Sequence, residues 1–488
     1  MEISERPGPA PSGNGAATAP PKLKRELGLW MATALVIGNM VGSGIFLLPS
    51  TLAGQAGPVS IIAWGFTGLG AMLLALVFAR LGRAYPKTGG PYVYVHKAFG
   101  DFMGFWTAWS YWINAWVGNA AIAIAFAGYL VVFWPDASTY WVATLLAIAL
   151  VWLLTFANIV GVREAGWIQL VTTVVKFVPL LLIGVVGLFF MHGSNFTPFT
   201  LSHGFDWGIS SAALLTLWAF IGLESATVPA EEVKDPERTI PRATMIGTAA
   251  TTVVYLVSSI ALFGMIASST LAKSTSPFAE GANVIFGGTW GGKAIAVVAM
   301  FSIFGVLNGW ILLQGRVPLG AAKDGLFPKQ FGRVDEKRGT PAFGIIVSSL
   351  LITALLAVNF QQKGSIVQLF TDVIIIATLT ALIPYAFASA AQIYLFITDR
   401  ESFSGVNLAR YTVIAFLALA YSSWAIWGAG FKPVTEGFML LLGGIPVFLW
   451  VKWRQSRELP EAAALEPLTR ERAAAAAPAA GRRHVVSR

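Results

Sequence analysis

The chain has 488 residues, of which 56% are hydrophobic and only 12% charged, so it is too apolar for a water-soluble fold and long enough for many membrane crossings. Its net charge of +9 could suggest a nucleic-acid partner, but the bases lie between hydrophobic runs and in the tails, as membrane topology requires. With no cysteine, disulfides, thiolate metal sites and thiol catalysis are excluded.

Residues 1–27 are rich in Pro, Gly, Ala and Ser and close on Lys22-Leu23-Lys24-Arg25. They lack the apolar core of a signal peptide and read as a disordered cytoplasmic tail. Apolar runs follow at 29–53, 59–81, 102–134, 140–160, 166–191, 209–230, 243–266, 293–320, 342–359, 365–397, 408–429 and 435–452. Each is near or above the ~20 residues that a helix needs to cross a bilayer, which predicts an all-α integral membrane protein of about twelve spans. Residues 454–488, rich in Ala and Arg, read as a second disordered cytoplasmic tail.

Counting bases orients the chain. With the N-terminus inside, about 28 of the 33 Lys and Arg fall in inner loops and tails, and four (Lys273, Lys293, Lys363 and Lys432) fall outside. That bias predicts both termini on the cytoplasmic side. The remaining base, Lys176, lies within a span.

Two spans carry interruptions. The first holds Gly42-Ser43-Gly44, and the sixth holds Gly222-Leu223-Glu224-Ser225. Small residues of this kind permit close helix packing. They also let a helix unwind, baring N–H and C=O groups that lipid cannot satisfy and that only a cavity or ligand can. Five spans separate the two, and paired interruptions at corresponding positions of two halves point to an inverted-repeat transporter with its site between them.

The run Gly38-Asn39-Met40-Val41-Gly42-Ser43-Gly44-Ile45-Phe46-Leu47-Leu48-Pro49 resembles the first span of the amino acid-polyamine-organocation superfamily. Within it the similarity is greatest to the basic amino acid/polyamine antiporter family, which includes the bacterial arginine/agmatine antiporters. It continues through Gly89-Gly90-Pro91-Tyr92, Tyr111-Trp112, Gly118-Asn119, Leu217 to Ala226, Asp235-Pro236-Glu237-Arg238, Gly309-Trp310, Lys323 to Pro328 and Pro384-Tyr385. The resemblance implies a transport core over 28–397, built as five-plus-five inverted repeats (28–191 and 209–397) with broken helices 1 and 6. Two additional helices at 408–453 would follow. It also implies alternating access around a midplane site, an inner-membrane location and a homodimer like that of the family.

For an amino acid, the half-helix after Gly42, Ser43 and Gly44 offers N–H groups and a positive dipole end to the carboxylate, and carbonyls near Met40 and Ile221 offer acceptors to the ammonium. Trp218 and Trp310 match the family's side-chain-contacting tryptophans. A cation over an indole face gains about 0.5 to 2 kcal/mol, although many of the 18 tryptophans serve as interfacial anchors. Asn114, Ala115 and Asn119 on span three and Ala377 on span ten complete the expected wall. Asn114 and Ala377 depart from the arginine antiporters, which have a small apolar residue and a serine there. Tyr111 and Tyr385 match gating aromatics.

Lys176 sits about ten residues into its apolar run. Burying an ammonium costs several kcal/mol, so it must snorkel, pair with carbonyls of the first break, or pass a proton during the cycle. The last reading matches the lysine of proton-coupled amino-acid transporters of the superfamily and favours uptake of neutral or broad-range amino acids over exchange. Glu224 either caps the unwound segment or couples to gating. Asp372 falls near a span end and reads as interfacial. His96, His192, His203 and His484 are scattered without metal-ligand spacing, so no metal, cofactor or enzymatic centre is expected. A channel would need a continuous polar lining, which the spans lack. The expected function is therefore carriage of amino acids, with basic amino acids or their amines in exchange as the first reading.

Overall fold

The computed structural model describes residues 25, 27–87, 89–160, 166–199, 205–335, 338–359, 365–403 and 407–457. Most of the two expected tails, and the bases Arg163 and Lys363, lie outside the described residues.

The described chain is helical. In order it forms α1 (Leu29–Met40), α2 (Ser43–Gln55), α3 (Ser60–Ala84), α4 (Pro91–Leu130), α5 (Tyr140–Val160), α6 (Gly166–Gly187), α7 (Phe205–Trp218) and α8 (Pro236–Met265). Then come α9 (Ser268–Leu271), α10 (Pro277–Phe286), α11 (Trp290–Lys323), α12 (Ala342–Asn359), α13 (Ile366–Thr398), α14 (Leu408–Gly428) and α15 (Phe431–Leu442). A last helical run, 444–457, completes the described chain. Helices suit this composition because each satisfies its own backbone away from water. Prolines open α4, α8 and α10, where the missing N–H would be unpaired in any case. Ser365 and Asn407 cap α13 and α14 by accepting from the N–H groups of Gln368 and Arg410, each at 3.1 Å.

Ten segments are long and apolar enough to cross a membrane, and 208–218 and 342–358 form two shorter apolar helices. The protein is therefore a multi-span membrane protein. Several boundaries differ from the apolar runs. The run at 209–230 stops being an α-helix at Trp218, and the run at 102–134 belongs to a helix that starts at Pro91 and turns at Gly100. The second tail begins later than expected, since helix continues to Arg457. The helices α9 and α10 fall between apolar runs, where the hydrophobic pattern gave no sign of them.

α4 is the spine: it packs most extensively on α13 and also on α11 and α5, while α8 packs on α3, α1 and α6. The start of α1 is tied to the chain that follows α7. Leu27 N–H donates to the Glu232 carbonyl at 3.0 Å, and Lys234 N–H donates to the Leu27 carbonyl at 2.9 Å. Both interrupted segments are thereby joined at the end of the molecule where the described chain begins and ends.

A polar tie closes the same end. Asp399, just beyond α13, accepts from the Tyr85 hydroxyl at 2.9 Å and from Ser402 at 3.0 Å, and it pairs with Lys97 at 3.2 Å. The Tyr85 hydrogen bond foremost, with Lys97, holds its carboxyl below the usual carboxylate range. A carboxylate depressed in this way stabilises the fold above its unfolded value of about 4, and its contribution disappears as pH falls through the lower folded value. Asp399→Asn is expected to lower the melting midpoint slightly at pH 7, with the gap to wild type closing below pH of about 4. A gap independent of pH would show that the tie is not electrostatic.

Candidate functional site

The site grows from two interruptions. At the first, α1 ends at Met40 and α2 starts at Ser43, so the last carbonyls of α1 lack helical donors. Three side chains from three other helices supply them. Lys176 Nζ of α6 donates to the Gly38 carbonyl, the Tyr255 hydroxyl of α8 to Met40 at 2.8 Å, and Ser302 of α11 to Val41 at 3.3 Å. At the second, α7 stops at Trp218, and the following N–H groups bond three residues back in tight turns: Ala219 to Thr216, Phe220 to Leu217 and Ile221 to Trp218.

The two interruptions touch. Tyr255 shares its single hydroxyl hydrogen between Met40 and the Ala219 carbonyl, 3.1 Å away. Asn39 donates from Nδ2 to Ser225 Oγ at 2.8 Å. Gly222, at φ 111°, faces the Asn39 backbone so closely that a Cβ there would lie 3.1 Å from the Asn39 carbonyl carbon. A Cβ on Gly44 would lie 2.8 Å from Ala219 Cα. The glycines read as breakers are thus also contact points between the two segments.

Between them lies a cavity. Met40, Gly42, Ser43 and Gly44 line it from the first break, Trp218 and Ile221 from the second, Asn114 and Ala115 from α4, and Trp310 from α11. It is narrow, with room for a water molecule. The first N–H groups of α2 carry no side-chain cap. Both polar atoms of Asn114 and the indole N–H of Trp218 are buried with no hydrogen-bond partner in the protein. These groups are the open valences of the site. No lining side chain is ionisable.

Two expected wall residues lie elsewhere. Asn119, one turn beyond the lining residue Ala115, is fully buried outside the lining and donates to Gln314 Oε1 of α11 at 2.7 Å. Ala377 is buried in α13 outside the lining. The sequence reading missed Asn39, Gly118, Ile122, Val306 and Tyr255. Asn39 had a signal, a polar residue in an apolar span three positions before the glycines. Tyr255, Val306 and Ile122 had none, since nothing local separates them from core.

Glu224 does not line the cavity. It is fully buried and accepts from the Tyr111 hydroxyl of α4, from the Tyr385 hydroxyl of α13 at 2.6 Å and from the Gly222 N–H at 3.2 Å. Tyr111 in turn approaches Trp310, with ring centroids 6.4 Å apart. The knot therefore lies beside the cavity, on the stretch of chain that runs on to the Leu27 tie. Lys176 is buried against α1 rather than extended to a surface, and Asp372 is exposed in the second turn of α13, bonded to Gln368 at 2.7 Å.

A family model described as amino acid permease matches residues 27–451, the span that contains both breaks and every residue of the cavity. The chain belongs to the amino acid permease family. It is 34% identical over 430 residues to a cadaverine/lysine antiporter of Escherichia coli K12, covering 86% of this chain and 93% of that protein. It is 32% identical over 448 residues to an arginine/ornithine antiporter of Pseudomonas aeruginosa, covering 88% and 91%. It is also 30% identical over 453 residues to an arginine/agmatine antiporter of Chlamydia felis, covering 88% and 90%.

Two substitutions test this permease's site. Gly44→Ala forces a methyl against the Ala219 backbone, an overpacking of about 1–3 kcal/mol, and is expected to lower the melting midpoint and abolish transport in proteoliposomes. Tyr385→Phe removes one of the two phenols on Glu224 and is expected to loosen the packing between the cavity and the end where the termini lie. Because the chain has no cysteine, Ala115→Cys reports this directly. A thiol reagent applied from the side of the termini should label Ala115→Cys several-fold faster when Tyr385→Phe is also present, and equal rates would exclude a gating role.

Proposed function

We propose that this permease is a secondary carrier that exchanges basic amino acids and their decarboxylated amines by alternating access. The observation that carries the reading is a cavity between two helix ends whose wall has two indoles and no ionisable side chain. The uncapped N–H groups at Ser43 and Gly44 suit a carboxylate, and carbonyls at the ends of α1 and α7 suit an ammonium. Trp218 and Trp310 then receive a distal cation on their faces. The names of the three relatives support the same substrate class.

In this reading Glu224, Tyr111 and Tyr385 form the gate towards the cytoplasm, and both termini lie in the cytoplasm of a cell whose inner membrane holds the carrier. The core is the inverted repeat over 28–397, followed by the two additional helices at 408–453, and the carrier assembles as a homodimer. Asn114 and Asn119 on α4, and Ala377 on α13, set the polarity around the substrate, Asn114 directly and the other two from behind the wall.

Counterflow in proteoliposomes with lysine, ornithine, arginine, cadaverine, putrescine, agmatine and neutral amino acids tests the proposal. Saturable exchange of the basic compounds is expected. Trp310→Leu is expected to weaken them by about 2- to 30-fold, the equivalent of about 0.5 to 2 kcal/mol. Exchange confined to neutral amino acids would overturn the substrate class, and unsaturable flux would revive a channel.

A second reading rests on Lys176. Its contact with the Gly38 carbonyl suits a group that releases α1 when it loses its proton, which couples uptake of neutral or broad-range amino acids to a proton gradient. Lys176→Ala is expected to leave exchange measurable while flattening its pH dependence. An unaltered pH profile would falsify the coupling role.

A further inference from the structure

The seam where α14 lies on α3 carries arginines at one end, none of which lines the cavity. The Arg80 guanidinium, near the end of α3, sits 4.1 Å from the centroid of the Tyr411 ring in the first turn of α14. Arg83 follows one turn further along α3, and Arg410 adjoins Tyr411. Three arginines therefore lie close in the chain to this one contact, at one end of the seam, on the side of the molecule where the described chain begins and ends. Among the described residues, none of the three has an ion-pair partner: Asp399 is engaged by Lys97, and Glu401 pairs with nothing. Residues 404–406 carry no charge.

Beyond the arginines the seam is apolar and partly open. The two helices run antiparallel, with Tyr411 at Arg80, Tyr421 against Gly70 and Trp424 6.2 Å from Phe66 between ring centroids. On the same faces Leu73 is half-buried, Leu417 is 46% exposed and Phe66 is 46% exposed. The result is a strip along the two helices with a cationic end and a partly exposed apolar body. Guanidinium groups are planar forks that bind phosphate oxygens two at a time, and stacking on a tyrosine fixes the plane of one of them. Like charges gathered without counter-ions at the level of lipid headgroups repel one another and attract an anion.

We propose that this seam binds one anionic phospholipid, its phosphate on Arg80, Arg83 and Arg410 and an acyl chain along Leu73, Leu417 and Phe66. The site is separate from the substrate cavity and depends on none of the substrate assignments. It goes beyond general attraction of basic loops to a membrane, because it places one lipid in one groove.

The test uses the full chain in detergent, supplied with phosphatidylglycerol or phosphatidylcholine, and reads retained lipid by native mass spectrometry and the melting midpoint. The wild type is expected to retain phosphatidylglycerol in preference and to melt later in its presence. Arg80→Gln/Arg410→Gln is expected to cut retained phosphatidylglycerol at least fivefold and to erase the shift in midpoint. Arg242→Gln/Arg333→Gln, which removes two bases elsewhere on the predicted cytoplasmic face, is expected to do neither. Leu417→Trp fills the apolar groove with the arginines intact and is expected to reduce retention as well, a second reading should the double arginine variant fail to fold. Equal retention of the two lipids by wild type, equal loss in the two double variants, or full retention by Leu417→Trp would overturn the site.

Discussion

The structure depends on one constraint: a polar backbone group withdrawn from water must find a partner, and each one left alone costs about 1–3 kcal/mol. Continuous helices meet it internally. Two helices of this permease stop in mid-protein, and the surrounding side chains answer for what they leave open. Lys176, Tyr255 and Ser302 come from α6, α8 and α11 to three successive parts of the α1 terminus. What remains uncapped, the first N–H groups of α2, faces the cavity. The cavity is thus where the fold leaves part of the backbone requirement unmet.

The same satisfaction of polar groups links the cavity to the end of the molecule. Glu224 draws phenols from α4 and α13 and an N–H from its own turn onto one carboxylate, with Trp310 next to one of those phenols. Asn39 and the Leu27 tie hold α1 against the segment that carries Glu224. The indole wall and the end of α1 are thus joined by a ring contact and a short series of hydrogen bonds.

Membrane proteins reveal their class early because lipid imposes a compositional rule on every span. Here the hydrophobic runs, the glycine interruptions and the residues Met40, Ser43, Asn114, Trp218, Ile221 and Trp310 were all legible, since each is an oddity in its local apolar context or belongs to a motif. Asn119 and Ala377 do not line the cavity, since a motif does not say which residues of a helix the cavity will meet.

The sequence by itself determined that this chain is a multi-span helical membrane protein whose first and sixth apolar runs are weakened in their middles. Composition and spacing carry that information locally. Only the tertiary structure decided that Tyr255 serves both breaks, that Gly44 is a contact with Ala219 as much as a breaker, and that Glu224 is shared by two tyrosines from helices far apart in the chain. Those facts depend on which helices become neighbours. In a largely apolar interior, local pattern does not say which helices become neighbours, and buried hydrogen bonds between distant residues join particular ones.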